Sequence, residues 1–299
     1  MKNNLLLTVE LVKVISLLKE NDINAITYKG PLLAQYIYGN IGFRQFDDID
    51  ILIDRTEALK AKKIVTIDKY ELYNPANLSD NDFLKYESEF KLINKITGVI
   101  IEINWNFKGN YFNLPENIDL LFENLKEYDI NCFKMYSLSP LNLLLILSIH
   151  ISKHNWMRIS WLSDIYHLIQ MEDIDWNKAL ILAKKLRIKR ILLINLSLLN
   201  DLYDMEIPNI VKIHLSLDPF VWYCSNIIKH IIFNEDKIKL TDRFFLYFFI
   251  REKNIDGFKD CLNILTKVTY PDIEFIKLPK SLFPLYGIIH LFLLLRNNI

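Results

Sequence analysis

Acidic residues gather where the chain reads RQFDDIDILID, residues 44–54. Side chains alternate along a strand, so Asp48, Asp50 and Asp54 fall on one face and Ile49, Ile51 and Ile53 on the other. The isoleucines would pin such a strand into a core, leaving Asp48 and Asp50 aimed the same way, about 6–7 Å apart along the chain. Carboxylates held like this are costly to leave uncompensated, and a divalent cation is their usual partner. A second strand repeats the design. Over residues 99–107, Val99, Ile101, Ile103, Trp105 and Phe107 share one face, and Ile100, Glu102, Asn104 and Asn106 share the other. Glu102 is thereby a candidate third acid. Upstream, Lys29-Gly30-Pro31 turns the chain into a helix whose first N–H groups can face phosphate. Arg44 stands just before the acids, able to orient them or to bind phosphate.

Phosphoryl or nucleotidyl transfer needs these residue types. Two magnesium ions roughly 3.5–4 Å apart can clamp the attacking and leaving oxygens of an in-line displacement. Magnesium is held through few carboxylates together with substrate phosphates. In this reading Asp48 and Asp50 are the metal pair, and Glu102 completes one shell or acts as general base toward an acceptor hydroxyl. The competing reading of Asp48 and Asp50, a solvated face of an edge strand, is disfavoured by the matching alternation around Glu102.

The positioning elements follow from periodicity. Residues 5–20 predict a helix with a broad apolar face, 23–28 a short strand, 31–38 a helix stopped at Gly39, and 56–67 another helix. Residues 74–82 predict a loop, and 87–96 and 99–107 a hairpin turning at Thr97-Gly98. Residues 108–134 read as irregular with one short helix. From Ser139 the periodicity is helical, with helices predicted over 139–153, 156–170, 176–186, 188–203, 209–215, 219–232, 241–250 and 281–296. The expected fold is α+β, a mixed β-sheet domain over 1–135 followed by an all-helical domain over 136–299.

Composition narrows the partners. Among 299 residues, 36 Lys and Arg balance 36 Asp and Glu, so a global electrostatic footprint for nucleic acid is absent. Cys132, Cys224 and Cys261 are too scattered for a disulfide framework or a zinc site, which fits a cytoplasmic setting. The apolar runs 136–152 and 281–295 are too short and too interrupted to span a membrane.

The order Gly30, helix, Asp48-Ile49-Asp50 and later Glu102 resembles the nucleotidyltransferase superfamily of the DNA polymerase β type. Lys29-Gly30, Arg44, IEINW at 101–105, HISKHNWMRISWLSDI at 150–165, Leu278-Pro279 and Leu285-Tyr286 resemble more closely a bacterial branch of uncharacterised nucleotidyltransferases. The resemblance implies a catalytic domain and a helical domain with a nucleotide bound between them. It implies Asp48, Asp50 and Glu102 as metal-binding and catalytic acids, magnesium or manganese as cofactor, and an NTP as substrate. Lys29, Gly30 and Arg44 would contact the nucleotide. The chain departs from the branch at Asn104, where histidine is frequent, and at 288–295, where an arginine-rich ending is frequent.

The function expected is transfer of an NMP from an NTP to a hydroxyl or other acceptor on a small molecule, peptide or protein, with release of pyrophosphate. Two alternatives stand beside it: a non-catalytic, antitoxin-like nucleotide-binding module, and an RNA-directed transferase. The RNA-directed alternative predicts a basic stripe, for which Lys184, Lys185, Arg187, Lys189 and Arg190 are the candidates; a solvated helix face is the simpler reading. His150, His154 and Arg158 recur every four residues and are expected along one helical face. Polar residues lining the seam between domains explain them better than zinc ligation does, and Lys153 and Arg158 could reach a triphosphate bound in that seam.

Overall fold

The computed structural model describes residues 2–73, 80, 83–84, 87–105, 120–130, 133–234, 240–266, 270–276 and 278–298. The chain separates into two compact units, Met1–Phe107 with Glu123–Ser139, and Lys108–Phe122 with Pro140–Ile299. The first is built on a seven-stranded mixed sheet, and the second is helical, which is the α+β class expected.

In the first unit, helix α1 (Lys2–Glu20) leads to strand β1 (Ala25–Thr27), helix α2 (Gly30–Tyr38) and strand β2 (Asp48–Ile53). Helix α3 (Ala58–Asp68) precedes β3 (Tyr70–Leu72), β4 (Glu89–Asn94) and β5 (Ile100–Asn104), and β6 (Lys126–Ile130) and β7 (Phe133–Ser137) close the unit. The strand order is β3-β4-β5-β2-β1-β7-β6, which makes β2 the central strand. It runs parallel to β5 and antiparallel to β1. Leu7, Leu11 and Leu18 of α1, Leu32 of α2, and Ala61 and Val65 of α3 form one cluster with Ile49, Ile51, Ile53, Ile101 and Ile103. Burying that apolar area is what fixes the sheet against its helices.

The β4–β5 hairpin forms where the sequence predicts it. Gly98 supplies the positive φ, +71°, and the Asn94 side chain accepts from the backbone N–H groups of Ile96 and Thr97 at 2.9 and 3.1 Å. Gly39 ends α2 in the left-handed conformation, φ 68°, its N–H bonded to the Gln35 carbonyl. Two elements differ from expectation. Strands β6 and β7 pair as a hairpin, β6 and the start of β7 lying within 108–134, which reads as irregular, and β7 runs two residues past the expected division at 135/136. The three-residue strand β3 was likewise not anticipated. Residues 74–79, 81–82, Asn106, Phe107 and Cys132 lie outside the described residues.

In the second unit, helices Pro140–Lys153, Ser160–Met171, Trp176–Lys185, Lys189–Tyr203, Asn209–Leu217, Pro219–Asn234, Leu240–Phe249 and Tyr286–Asn298 follow the predicted periodicity. Asn254–Thr266 and Tyr270–Phe275 are additional helices. Among the described residues, no helix is long and apolar enough to cross a membrane.

Candidate active site

Alternation in β2 gives a core face of Ile49, Ile51 and Ile53 and an opposite face of Asp48, Asp50 and Leu52. The parallel register pairs Asp48 with Ile100, Asp50 with Glu102, and Leu52 with Asn104. Asp50 and Glu102 therefore stand side by side on neighbouring strands, whose spacing is about 4.8 Å. Antiparallel pairing on the far side of β5 sets Lys91 beside Glu102 and Glu89 beside Asn104. One row across three strands thus reads Asp50, Glu102, Lys91.

Helix α2 begins against this row. Lys29, in extended conformation, is its N-cap, and Gly30 adopts φ +60°. A Cβ on Gly30 would lie 3.7 Å from the Asp48 carbonyl oxygen, so the helix N-terminus abuts the first residue of β2. No side chain caps that N-terminus, and its first-turn N–H groups carry the positive end of the helix dipole.

Charge at the site is crowded. Lys29 Nζ lies 2.9 Å from Asp50 Oδ2, and both side chains are buried. Lys91 Nζ lies 2.5 Å from Glu102 Oε1 and 3.5 Å from Glu89 Oε1. Burial pushes the Glu102 carboxyl up to about 7, aided by Glu89, Asp50 and Asp48 and opposed by Lys91. Burial and the Asp50 charge also raise Asp48, against Lys29 and Lys91. Tyr28 reports the same field from β1's end: burial and then Asp50, Glu102, Glu89 and Asp48 hold its phenol well above the ordinary range. Lys29 and Lys91 thus do not offset burial and mutual repulsion at Asp48 and Glu102.

Oxygen donors in excess negative charge suit a hard divalent cation, so the residues present fit one. Among the described residues, however, no three of His, Cys, Asp and Glu are grouped closely enough to hold a metal ion as they stand. A cation here would take one or two carboxylates and draw its other ligands from substrate phosphate and water, which is magnesium's usual habit.

Of the residues read from sequence, Lys29, Gly30, Asp48, Asp50 and Glu102 come together. Asp54 does not join them: it caps the turn at Arg55–Glu57, accepting from Thr56 N and Oγ1 at 2.8 and 2.6 Å. Arg44, buried at the end of the 3-10 turn Ile41–Phe43, has its carbonyl held by Asn4 Nδ2 at 2.9 Å. Asn104 is buried, its amide donating to the Glu102 carbonyl at 3.2 Å. The sequence reading missed Tyr28, Glu89 and Lys91. A two-residue turn at Thr97-Gly98 would pair 93 with 102; the loop takes 95–98 instead and shifts the register so that Lys91 faces Glu102.

Lys153 and Arg158 belong to the second unit. His150, His154 and Arg158 do not share one helix, contrary to expectation. The helix ends at Lys153, and Asn155 and Trp156 both take φ 54°. The cause is tertiary: Trp156 is buried, and its indole N–H donates to Asn195 Oδ1 at 2.6 Å. The histidines instead pack around Trp161, at ring distances of 4.8 and 5.2 Å, with the Arg158 guanidinium 5.5 Å from the same ring. The basic run is also largely engaged. Arg187 pairs with Asp256 at 3.1 Å, Arg190 with Asp218 at 2.7 Å, and Lys189 Nζ lies 3.0 Å from His214 Nδ1. Arg187 and Arg190 thus tie helices together, while Lys184 and Lys185 are exposed. Burial pushes the Cys224 thiol up to about 12 and Cys261 to about 11, which makes both poor nucleophiles.

The acidic row thus stands beside the N-terminus of α2, where the Lys29 side chain makes no capping hydrogen bond. The chain belongs to a family described as uncharacterised nucleotidyltransferase, whose model matches residues 1–204. That span includes every residue of the acidic row. No curated protein matches the chain.

Proposed function

We propose that the chain is a magnesium-dependent nucleotidyltransferase that moves an NMP from an NTP to an acceptor hydroxyl on a small molecule, peptide or protein. The observation that carries this reading is the pairing of Asp50 with Glu102 across β2 and β5, at the foot of the α2 N-terminus. Asp48 and Asp50 would hold the cation, with Glu102 as the third carboxylate. Bound there, magnesium supplies positive charge for the phosphate oxygens as negative charge builds on them.

The remaining work falls to the chain itself. N–H groups of the first turn of α2 face the triphosphate and balance its charge. Lys29, paired with Asp50, and Arg44 are the cations proposed to contact the nucleotide. Glu102, held near neutrality by its surroundings, can take a proton at physiological pH. In the transfer, the acceptor oxygen forms a bond to the α-phosphorus and its proton passes to the Glu102 carboxylate. The bond from the α-phosphorus to the bridging oxygen breaks, and pyrophosphate leaves.

The test is pyrophosphate release by the purified chain with each of the four NTPs, magnesium and cell extract as acceptor source. Release with at least one NTP is expected. Nucleotide binding without any release would instead favour a non-catalytic, antitoxin-like module.

A further inference from the structure

We infer that Lys91 is a built-in counter-ion of this site: a positioning residue whose hold on one oxygen of Glu102 competes with a divalent ion for that carboxylate. The inference rests on the proposed role of Asp48, Asp50 and Glu102 as cation ligands.

Two lysines face the acids, and they differ in what they can do. Lys29 is shut in, with 10% of its side chain exposed against 5% for its partner Asp50. Its ammonium also lies 5.2 Å from the Tyr28 ring centroid. Moving it off Asp50 would strand a buried charge. Lys91 is 42% exposed, while the Glu102 side chain it holds is 12% exposed. Lys91 is thus the more accessible of the two, and Glu102 and Glu89 outweigh burial to hold its ammonium in the charged form. Glu89 Oε1, already 3.5 Å from Lys91 Nζ, gives the displaced ammonium a second carboxylate.

The register makes the competition direct. Lys91 and Asp50 flank Glu102 on the two neighbouring strands. Lys91 takes one Glu102 oxygen, Oε1, and its positive charge beside the carboxylate weakens the hold of a cation on the other. With Lys91 in place part of the charge on Glu102 is balanced, and a divalent ion would meet that ammonium beside the carboxylate.

The experiment titrates the full chain with Mn2+ and reads unbound Mn2+ by its electron paramagnetic resonance signal, so activity is not the readout. Lys91→Met should bind Mn2+ about fivefold tighter than wild type, the scale of a part-exposed ion pair. Lys91→Arg should bind it more weakly, because a forked guanidinium holds a carboxylate more firmly than an ammonium does. The arginine variant carries the test alone if the methionine variant fails to fold. Equal affinity in all three proteins, or shifts of the same sign in both variants, overturns the inference while leaving the enzyme reading intact. Absence of Mn2+ binding in every protein, with no pyrophosphate release, overturns both.

Discussion

Glu10 and Glu102 are buried carboxylates on opposite sides of one sheet, and their surroundings treat them in opposite ways. Glu10 reaches from α1 to the core side, where it accepts from the Tyr70 hydroxyl, from Asn94 Nδ2 at 3.0 Å and from Lys13 Nζ at 2.9 Å. Burial alone would raise its carboxyl, but Lys13, Tyr70 and Asn94 outweigh burial and hold it below the ordinary range. Glu102 meets Lys91 and three other carboxylates, and it is driven up to about 7. A carboxylate with a full set of donors ties helix to sheet. One crowded by its own kind carries charge that a proton or a cation would relieve, a pattern frequent at functional sites.

Substitutions can break or sharpen this contrast. The largest effect is expected for Asp48→Asn. Loss of one cation ligand should cut pyrophosphate release by about 10^3-fold, while removal of a crowded charge leaves chemical stability unchanged or higher. Steady-state kinetics and urea unfolding on one preparation check both halves. An active Asp48→Asn variant would mean that the acidic row is not the catalytic centre.

Next comes Glu10→Ala, which leaves the buried Tyr70 hydroxyl and Asn94 amide without their acceptor. It should lose about 2–3 kcal/mol in urea unfolding. Because the Glu10 carboxyl is depressed, its stabilisation is present above the unfolded value near 4.5 and fades as pH falls through the lower folded value. The deficit of Glu10→Ala relative to wild type should therefore shrink in acid.

Glu102→Gln should behave in the opposite sense. Its folded value lies above the unfolded 4.5, so the charged form costs stability progressively as pH rises from about 4.5 to about 7. The variant should be more stable than wild type by about 1–3 kcal/mol at pH 8, and equal to it near pH 4. Unfolding midpoints across pH 4–8 would show it; a variant that is less stable at pH 8 would refute the crowding.

The smallest effect is expected for Gly30→Ala. The added Cβ meets only the Asp48 carbonyl, at ordinary contact distance, so the cost is the backbone's φ of +60°. A loss of about 1 kcal/mol in the unfolding free energy is expected.

Much of this was legible in the chain because it is local. The period-two pattern of β2, the Gly98 turn and the Gly39 stop each depend on a few neighbouring residues, and each forms as expected. The β6–β7 hairpin was missed although Tyr128, Ile130, Phe133 and Met135 give it an alternating apolar face; each strand is only five residues long, too short for the pattern to stand out. The stretch after Lys153 misled for a different reason. Its four-residue spacing is helical, but burial of Trp156 against Asn195 overrides local preference and turns the chain.

By itself the sequence determined which residues could do chemistry, since alternation alone decides that Asp48 and Asp50 share a face and that Glu102 opposes a run of isoleucines. Only the tertiary structure decided that β2 lies beside β5, and so which acid stands next to which lysine. Side-chain alternation is written within a single strand. Strand register is a contact between segments some fifty residues apart, and it is settled by the shared core beneath them.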